Sequence, residues 1–131
     1  MKKLILICAG LLLLSASASA FADDHHAAAA LEHTSAAVIY GKNGHTAILL
    51  EHAKAALDHT LAASLKAKGV SINHLESAVM ELQEAIDLSE SGHVGTATKH
   101  AQAALRHIKN SNKNIEDAHT KVKNIQRDDQ K

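Results

Sequence analysis

The chain has 131 residues with 14 basic and 14 acidic side chains, so it carries no net charge while its 11 histidines are neutral. The absence of a basic excess, together with only two aromatic residues of the Phe, Tyr and Trp type, argues against nucleic-acid binding. The single cysteine, Cys8, lies near the start, so the rest of the chain has neither a disulfide nor a thiolate ligand.

Residues 1–22 have the pattern of a secretory signal peptide. Two lysines precede an apolar run over residues 4–14, which is shorter than a membrane span, and small residues follow up to Ala22. We expect cleavage after Ala22, or alternatively after Ala20, with export to a bacterial periplasm and no stable membrane association afterwards. Removal of the signal peptide takes away Lys2 and Lys3, which leaves 12 basic and 14 acidic residues. The net charge of the mature chain therefore changes from −2 to +9 as its histidines become protonated.

The remaining chain has helical composition, because alanine, leucine and charged residues dominate and proline is absent. Glycine-containing breaks at 41–44, 69–71 and 91–92 divide it into four segments. We predict helices over residues 24–40, 45–68, 72–90 and 93–126.

The ends of these helices are predicted from single residues. Gly69 is suited to a helix C-cap and Ser71 to an N-cap. Residues 110–114 have weaker helix propensity, which predicts a bend or frayed turn, and residues 128–131 are predicted to form a flexible tail.

The chain repeats itself at an offset of 48 residues. The segment from His52 to His59 matches the segment from His100 to His107, and several alanines match at the same offset. Two duplicated helical hairpins predict an all-α, up-and-down four-helix bundle over residues 23–127. A solenoid is the alternative, but two units are few for one.

The helical wheel separates three stripes. Large apolar residues are predicted to form the core: Leu31, Val38, Leu50, Ala53, Leu57, Leu61, Leu75, Val79, Leu82, Ile86, Val94, Ala101, Leu105 and Ile108. The histidines lie about 100–130° around the helix from these residues, with an alanine stripe between the two. Because neighbouring helices are antiparallel, the histidine stripes are predicted to face each other across alternate seams, which gives two histidine-rich seams and two poor ones.

Eight histidines recur every seventh residue, and that spacing is hard to explain as packing. They are His26 and His33, then His45, His52 and His59, then His93, His100 and His107. Seven residues correspond to about 10 Å along a helix, so one ion cannot bind two histidines of the same stripe. Since most neighbours at i±3 and i±4 are alanine, we predict open sites between helices, each with two or three imidazoles and water. His74 and His119 are further candidates.

The ligand set favours particular metals. Imidazole with occasional carboxylate suits Cu(II), Ni(II), Zn(II) and Co(II), of which Cu(II) binds most tightly. Cleavage after Ala22 would also place Asp23, Asp24 and His25 at the N-terminus, where the amine, two backbone amides and the imidazole can form a square-planar Cu(II) or Ni(II) site. The alternative is that these acidic residues only stabilise the N-terminus of the first helix through its dipole.

An enzyme is not predicted. Glu116 with His119 and Glu90 with His93 both have the Glu-x-x-His spacing of di-iron carboxylate bundles. However, the second pair lies on a predicted turn, the pairs are not related by the repeat, and no inward glutamates are evident. Nucleophilic catalysis has no support either, since no glycine-rich elbow surrounds a serine.

Two stretches, Leu49 to Lys54 and Gly92 to Gln102, strongly resemble the small metal-binding proteins, which are histidine-rich periplasmic proteins with seven-residue repeats. The resemblance covers most of residues 26–110. It implies a four-helix bundle that reversibly binds several divalent ions, copper above all, as a scavenger, buffer or chaperone. His45, His52, His59, His93, His100 and His107 match the repeat histidines of the family best. Glu81 and Leu88 depart from the pattern, which favours histidine there, so a lower capacity is expected.

The function we predict is therefore reversible binding of several divalent metal ions for metal homeostasis, by a monomer whose metal-transfer partner the sequence does not identify. The alternative is a pH-responsive structural bundle in which protonation of the histidine stripes loosens the fold. Acid unfolding is expected of both, whereas metal affinity at neutral pH distinguishes them.

Overall fold

The computed structural model describes residues 19–128, with side chains described for residues 25–117, Thr120 and Lys121. This part of the chain contains four helices: α1 Ser19–Lys42, α2 Thr46–Ser64, α3 Val70–Glu90 and α4 Val94–Asp128. Each helix packs against the next, α1 also packs against α4, and α2 touches α4 only slightly across the diagonal. The arrangement is the predicted all-α, up-and-down four-helix bundle. None of the helices in the described part is long and apolar enough to cross a membrane.

The two hairpin turns are built identically. Gly44 has a positive φ of 77°, and its N–H donates to the Gly41 carbonyl at 3.0 Å, while the N–H of His45 donates to the Tyr40 carbonyl at 2.9 Å. These are the two bonds of the Schellman motif, which glycine permits at low cost. The same bonds recur 48 residues later, from Gly92 to Ser89 and from His93 to Leu88. The repeat therefore fixes a histidine directly after each turn.

The caps predicted between α2 and α3 are wrong. α2 ends at Ser64 rather than at 68, and Leu65 is 87% exposed, so its side chain provides little tertiary packing for a further turn. Gly69 occupies the N-cap position of α3 instead of ending α2. Ser71 lies inside α3, buried, and its hydroxyl donates to the Ser111 carbonyl of α4 at 3.4 Å.

The fourth helix also differs from its prediction, since α4 runs unbroken through residues 110–114 to Asp128. Burial of Ser111 on the bundle side provides tertiary packing that outweighs the weak local propensity. At the other end, α1 begins at Ser19, inside the predicted signal peptide. Residues 1–18 and 129–131 lie outside the described part, so the signal peptide and most of the tail remain predictions.

The centre of the bundle is made of alanine, and this corrects the predicted core. Six alanines of the stripe expected beside the core are fully buried: Ala30, Ala37, Ala56, Ala78, Ala85 and Ala104. The predicted core residues Ala53, Ala101, Leu75, Leu82 and Ile108 are buried as expected, and Leu49 and Ala97 complete the centre. Several predicted core residues are only half-buried at its edge, among them Leu50, Leu57, Val94 and Leu105, and Leu61 is 44% exposed.

In α2 the buried face is rotated from the predicted leucine stripe towards the alanines, so Leu50, Leu57 and Leu61 lie on one flank and the histidines on the other. In α3 the predicted core residues Leu75, Leu82 and Ile86 are themselves buried. Small residues at a helix contact let the backbones approach closely. The histidine flanks are therefore brought near one another between adjacent helices.

Candidate metal-binding sites

The first histidine seam joins α1 to α2, and its six residues are His26, His33 and Tyr40 of α1 with His45, His52 and His59 of α2. The residues on each helix are seven apart, and α1 and α2 are antiparallel. Residues from the two helices therefore face each other in successive pairs along the seam. Nδ1 of His26 lies 2.9 Å from Nδ1 of His59, and Nδ1 of His33 lies 3.0 Å from Nδ1 of His52. In each pair one imidazole donates a proton to the other.

The rings of this seam are also stacked against one another. His33 lies parallel to His59 with ring centroids 5.7 Å apart, and Tyr40 lies parallel to His52 at 5.6 Å. Tyr40 also meets His45 edge-on at 6.1 Å. Four half-buried imidazoles therefore form one continuous cluster that is closed at the turn end by Tyr40.

Clustering changes the proton affinity of one imidazole. Partial burial and the neighbouring imidazoles of His26, His33 and His25 lower the pKa of His59, while Asp58 acts in the opposite direction. Burial disfavours a charged ring, and each protonated neighbour adds like-charge repulsion. At His59 the fold therefore favours the neutral imidazole, which is the form that binds a metal ion.

The second histidine seam joins α3 to α4, and its residues are His74 and Glu81 of α3 with His100 and His107 of α4. Nδ1 of His100 donates to Oε2 of Glu81 at 2.8 Å, and both side chains are about one-third exposed. His74 and His107 have ring centroids 5.8 Å apart. Nδ1 of His107 is buried without a hydrogen-bond partner in the described part of the chain. Among the described residues, this seam thus has one ring nitrogen, Nδ1 of His107, that no protein group satisfies.

The two seams match the predicted alternation. Every interhelical ring contact among the described side chains joins α1 to α2 or α3 to α4. However, no three His, Cys, Asp or Glu side chains in that part lie close enough to enclose one ion. The protein thus supplies pairs of donors, so any ion bound by a pair must complete its coordination with water or with a rearranged neighbour.

The other predicted ligands lie outside these pairs. His25 is exposed next to His26, at a ring distance of 6.4 Å, and His45 and His93 are exposed at the two turns. The side chains of His119 and Asp23 lie outside the described residues, so their predicted roles stay predictions. Of the Glu-x-x-His pairs, Glu90 is bound instead to Lys54 at 2.8 Å.

Tyr40 is the residue of the first seam that the sequence analysis missed. It lies seven residues after His33, so the same spacing that selected the histidines also places Tyr40 on their face. A search for any aromatic or donor side chain in that register would have found it.

Comparison with known proteins agrees with this arrangement. The family model described as small metal-binding protein matches residues 1–111, which include both seams. No curated protein matches the chain.

Proposed function

This chain belongs to the small metal-binding protein family, and from that premise we propose that it reversibly binds several divalent ions, Cu(II) foremost, in its histidine seams. The observation that carries the proposal is the pairing of donor nitrogens from different helices, His26 with His59 and His33 with His52, at 2.9 and 3.0 Å. Neither helix could form such a pair alone, because its own histidines are seven residues apart.

The donor set favours Cu(II) and Ni(II). The paired nitrogens, 2.9 and 3.0 Å apart, are close enough for one ion to bind both with bonds of about 2.0 Å. Imidazole suits Cu(II), Ni(II), Zn(II) and Co(II), and Cu(II) binds a given set of donors most tightly.

Binding changes the tautomer of one imidazole. In each pair one ring nitrogen donates its proton to the other, so an ion can bind both Nδ1 atoms only when the donating ring carries its proton on Nε2 instead. A ring that is protonated on both nitrogens must first release one proton to water. Neutral imidazoles bind more readily, so the lowered pKa of His59 supports binding at neutral pH. Affinity is therefore expected to fall steeply below about pH 6, where free imidazole becomes protonated.

The N-terminal site belongs to the same proposal. If cleavage follows Ala22, then Asp23 to His25 form the first turn of α1, whose N–H groups have no partner within the helix. Deprotonating two of these amides for a square-planar ion would break no helical hydrogen bond. We place this activity in a bacterial periplasm, as binding without catalysis, in the service of metal buffering or scavenging.

The proposal is tested by calorimetric titration with Cu(II) and then Zn(II), at pH 7.5 and pH 5.5. The chain beginning at Asp23 is compared with the full chain, in which Asp23 has no free amine. We expect several sites of micromolar affinity or better in both forms at pH 7.5, largely lost at pH 5.5, with one additional tight Cu(II) site in the shorter form.

Two outcomes would contradict the seam sites. A single tight Cu(II) event, present only in the chain beginning at Asp23, would assign all binding to the N-terminus. Only millimolar association in both forms would favour the alternative, a bundle whose histidines act through their charge.

A further inference from the structure

The two seams are related by the 48-residue repeat, but their chemistry is different. His74 and His107 correspond to His26 and His59, and His100 corresponds to His52. The remaining paired histidine of the first seam, His33, corresponds to Glu81 in the second seam. Among the four positions that are paired imidazoles in the first seam, the second seam therefore has three histidines and one carboxylate.

The substitution preserves the pairing of donors. Oε2 of Glu81 lies 2.8 Å from Nδ1 of His100, close to the 3.0 Å between the Nδ1 atoms of His33 and His52. As in the first seam, one proton lies between the two donor atoms in the metal-free protein. An ion that replaced this proton would be bound by one nitrogen and one anionic oxygen.

The surroundings of the pair favour access and oxygen coordination. Glu81 and His100 open onto a groove of about 540 Å³, whose other lining residues include Met80, Glu84 and Asp87. The exposed carboxylates of Glu84 and Asp87 make the groove acidic. The first seam has no carboxylate hydrogen-bonded to its four paired imidazoles among the described side chains.

We propose that Glu81 and His100 form a mixed oxygen and nitrogen site that takes Zn(II) or Co(II) once the all-imidazole first seam has bound the available Cu(II). This inference rests on the proposed function and adds a division of labour between the seams. Zn(II) accepts carboxylate oxygen readily alongside histidine. Cu(II) gains most where imidazole nitrogens are most numerous, so a limited supply fills the first seam and leaves the second for Zn(II). The protein then carries both metals at once.

Tyr40 provides a signal that is specific to one seam. It is the only tyrosine of a chain without tryptophan, and its ring is stacked on His52. The repeat places Leu88 at the corresponding position of the second seam. Cu(II) is paramagnetic and quenches a nearby tyrosine, so loss of Tyr40 emission reports occupation of the first seam alone.

The test uses the full chain, in which the N-terminal site at Asp23 lacks its free amine. It is loaded with two equivalents of Cu(II), followed by Zn(II), and the retained metals are counted after buffer exchange. Three variants are compared: Glu81→Gln, Glu81→His and the control Glu76→Gln. Glu76 is an exposed carboxylate of the same helix outside the groove, and circular dichroism verifies that all variants remain helical.

In the wild type we expect Tyr40 emission to be quenched by the first equivalents of Cu(II), with Zn(II) retained afterwards. Glu81→Gln should lower Zn(II) affinity at least about tenfold, because even a hydrogen-bonding partner of a metal ligand contributes roughly 10- to 100-fold. Its Tyr40 quenching should be unchanged, and Glu76→Gln should match the wild type in both respects. Glu81→His should shift the second seam from Zn(II) towards Cu(II).

Equal Zn(II) affinity in Glu81→Gln and Glu76→Gln would overturn the mixed site. So would retention of Zn(II) with Tyr40 still emitting after two equivalents of Cu(II), since copper would then have entered elsewhere. Failure of the proposed function is a different result, because the wild type would retain neither metal.

Discussion

Metal bound in the first seam should tie α1 to α2, and this can be measured as resistance to unfolding. The pairs His26 with His59 and His33 with His52 each join the two helices, so unfolding must break them. An ion at a free concentration one hundred times its Kd stabilises the folded state by about 2.7 kcal/mol per site. Two sites would contribute about 5 kcal/mol, and for a domain of this size about 4 °C of Tm per kcal/mol gives a rise of roughly 20 °C.

Two double variants test whether the rise in Tm comes from ions that link α1 to α2 or only from the number of histidines in the chain. His26→Gln with His33→Gln removes every paired imidazole of α1, whereas His45→Gln with His93→Gln removes two exposed histidines at the turns. Both keep nine of the 11 histidines, so metal binding by the unfolded chain is matched. The first should lose most of the Cu(II)-induced rise in Tm, and the second should keep it.

The assay is thermal unfolding followed by circular dichroism at pH 7.5, with and without buffered Cu(II). Each variant is compared with its own metal-free Tm, so that any effect of the substitution on the fold itself cancels. An equal rise in both variants would refute the reasoning, because the ions would then be bound without linking α1 to α2.

Two further predictions concern the metal-free fold. Gly41→Ala should destabilise the bundle by about 1–3 kcal/mol, because the added methyl would overlap the Thr98 hydroxyl and a Leu49 methyl. Gly95→Ala has open space around the added methyl and should stabilise the bundle by about 0.5–1 kcal/mol. Urea unfolding measures both changes in the free energy of unfolding. Acid should also destabilise the metal-free bundle: the pKa of His59 is lowered in the fold, so below its ordinary value of 6.5 the unfolded chain takes up a proton that the folded chain resists. Unfolding at pH 7.5, 6.5 and 5.5 should show this loss, and His59→Gln should reduce it; a wild-type stability that is constant over this range would contradict the assignment.

The seams could be predicted from sequence because they depend on periodicity alone. Histidines seven residues apart must lie on one helix face, and the 48-residue repeat gives both hairpins the same register. The helix count and up-and-down topology followed from the same repeat and from the glycines at the turns. Which imidazole meets which, such as His33 with both His52 and His59, requires the distance between the helices.

Periodicity could not predict which stripe is more deeply buried, the leucines or the alanines. Hydrophobicity ranks leucine above alanine, so the wheel placed Leu50, Leu57 and Leu61 in the core. In the fold these residues lie at the edge of the core, because the buried face of α2 is formed by Leu49, Ala53, Ala56 and Thr60. Packing between four helices decides this, and no single helix contains that information. The cap at Ser71 failed for the same reason, since its hydroxyl has a partner in another helix.

The alanine core and the histidine sites are physically connected. An imidazole is short, and two of them reach a nitrogen separation near 3 Å across a seam only when the helices lie close together. Helix axes are commonly 8–10 Å apart, at a distance set by the side chains in the contact. Leucine in place of Ala30 or Ala56, both fully buried beside the first seam, would push the helices apart and separate the paired nitrogens. Because alanine is small, the core buries less apolar area than a leucine core would, which lowers stability. The same small side chains keep the donor pairs close enough for both donors to bind one ion.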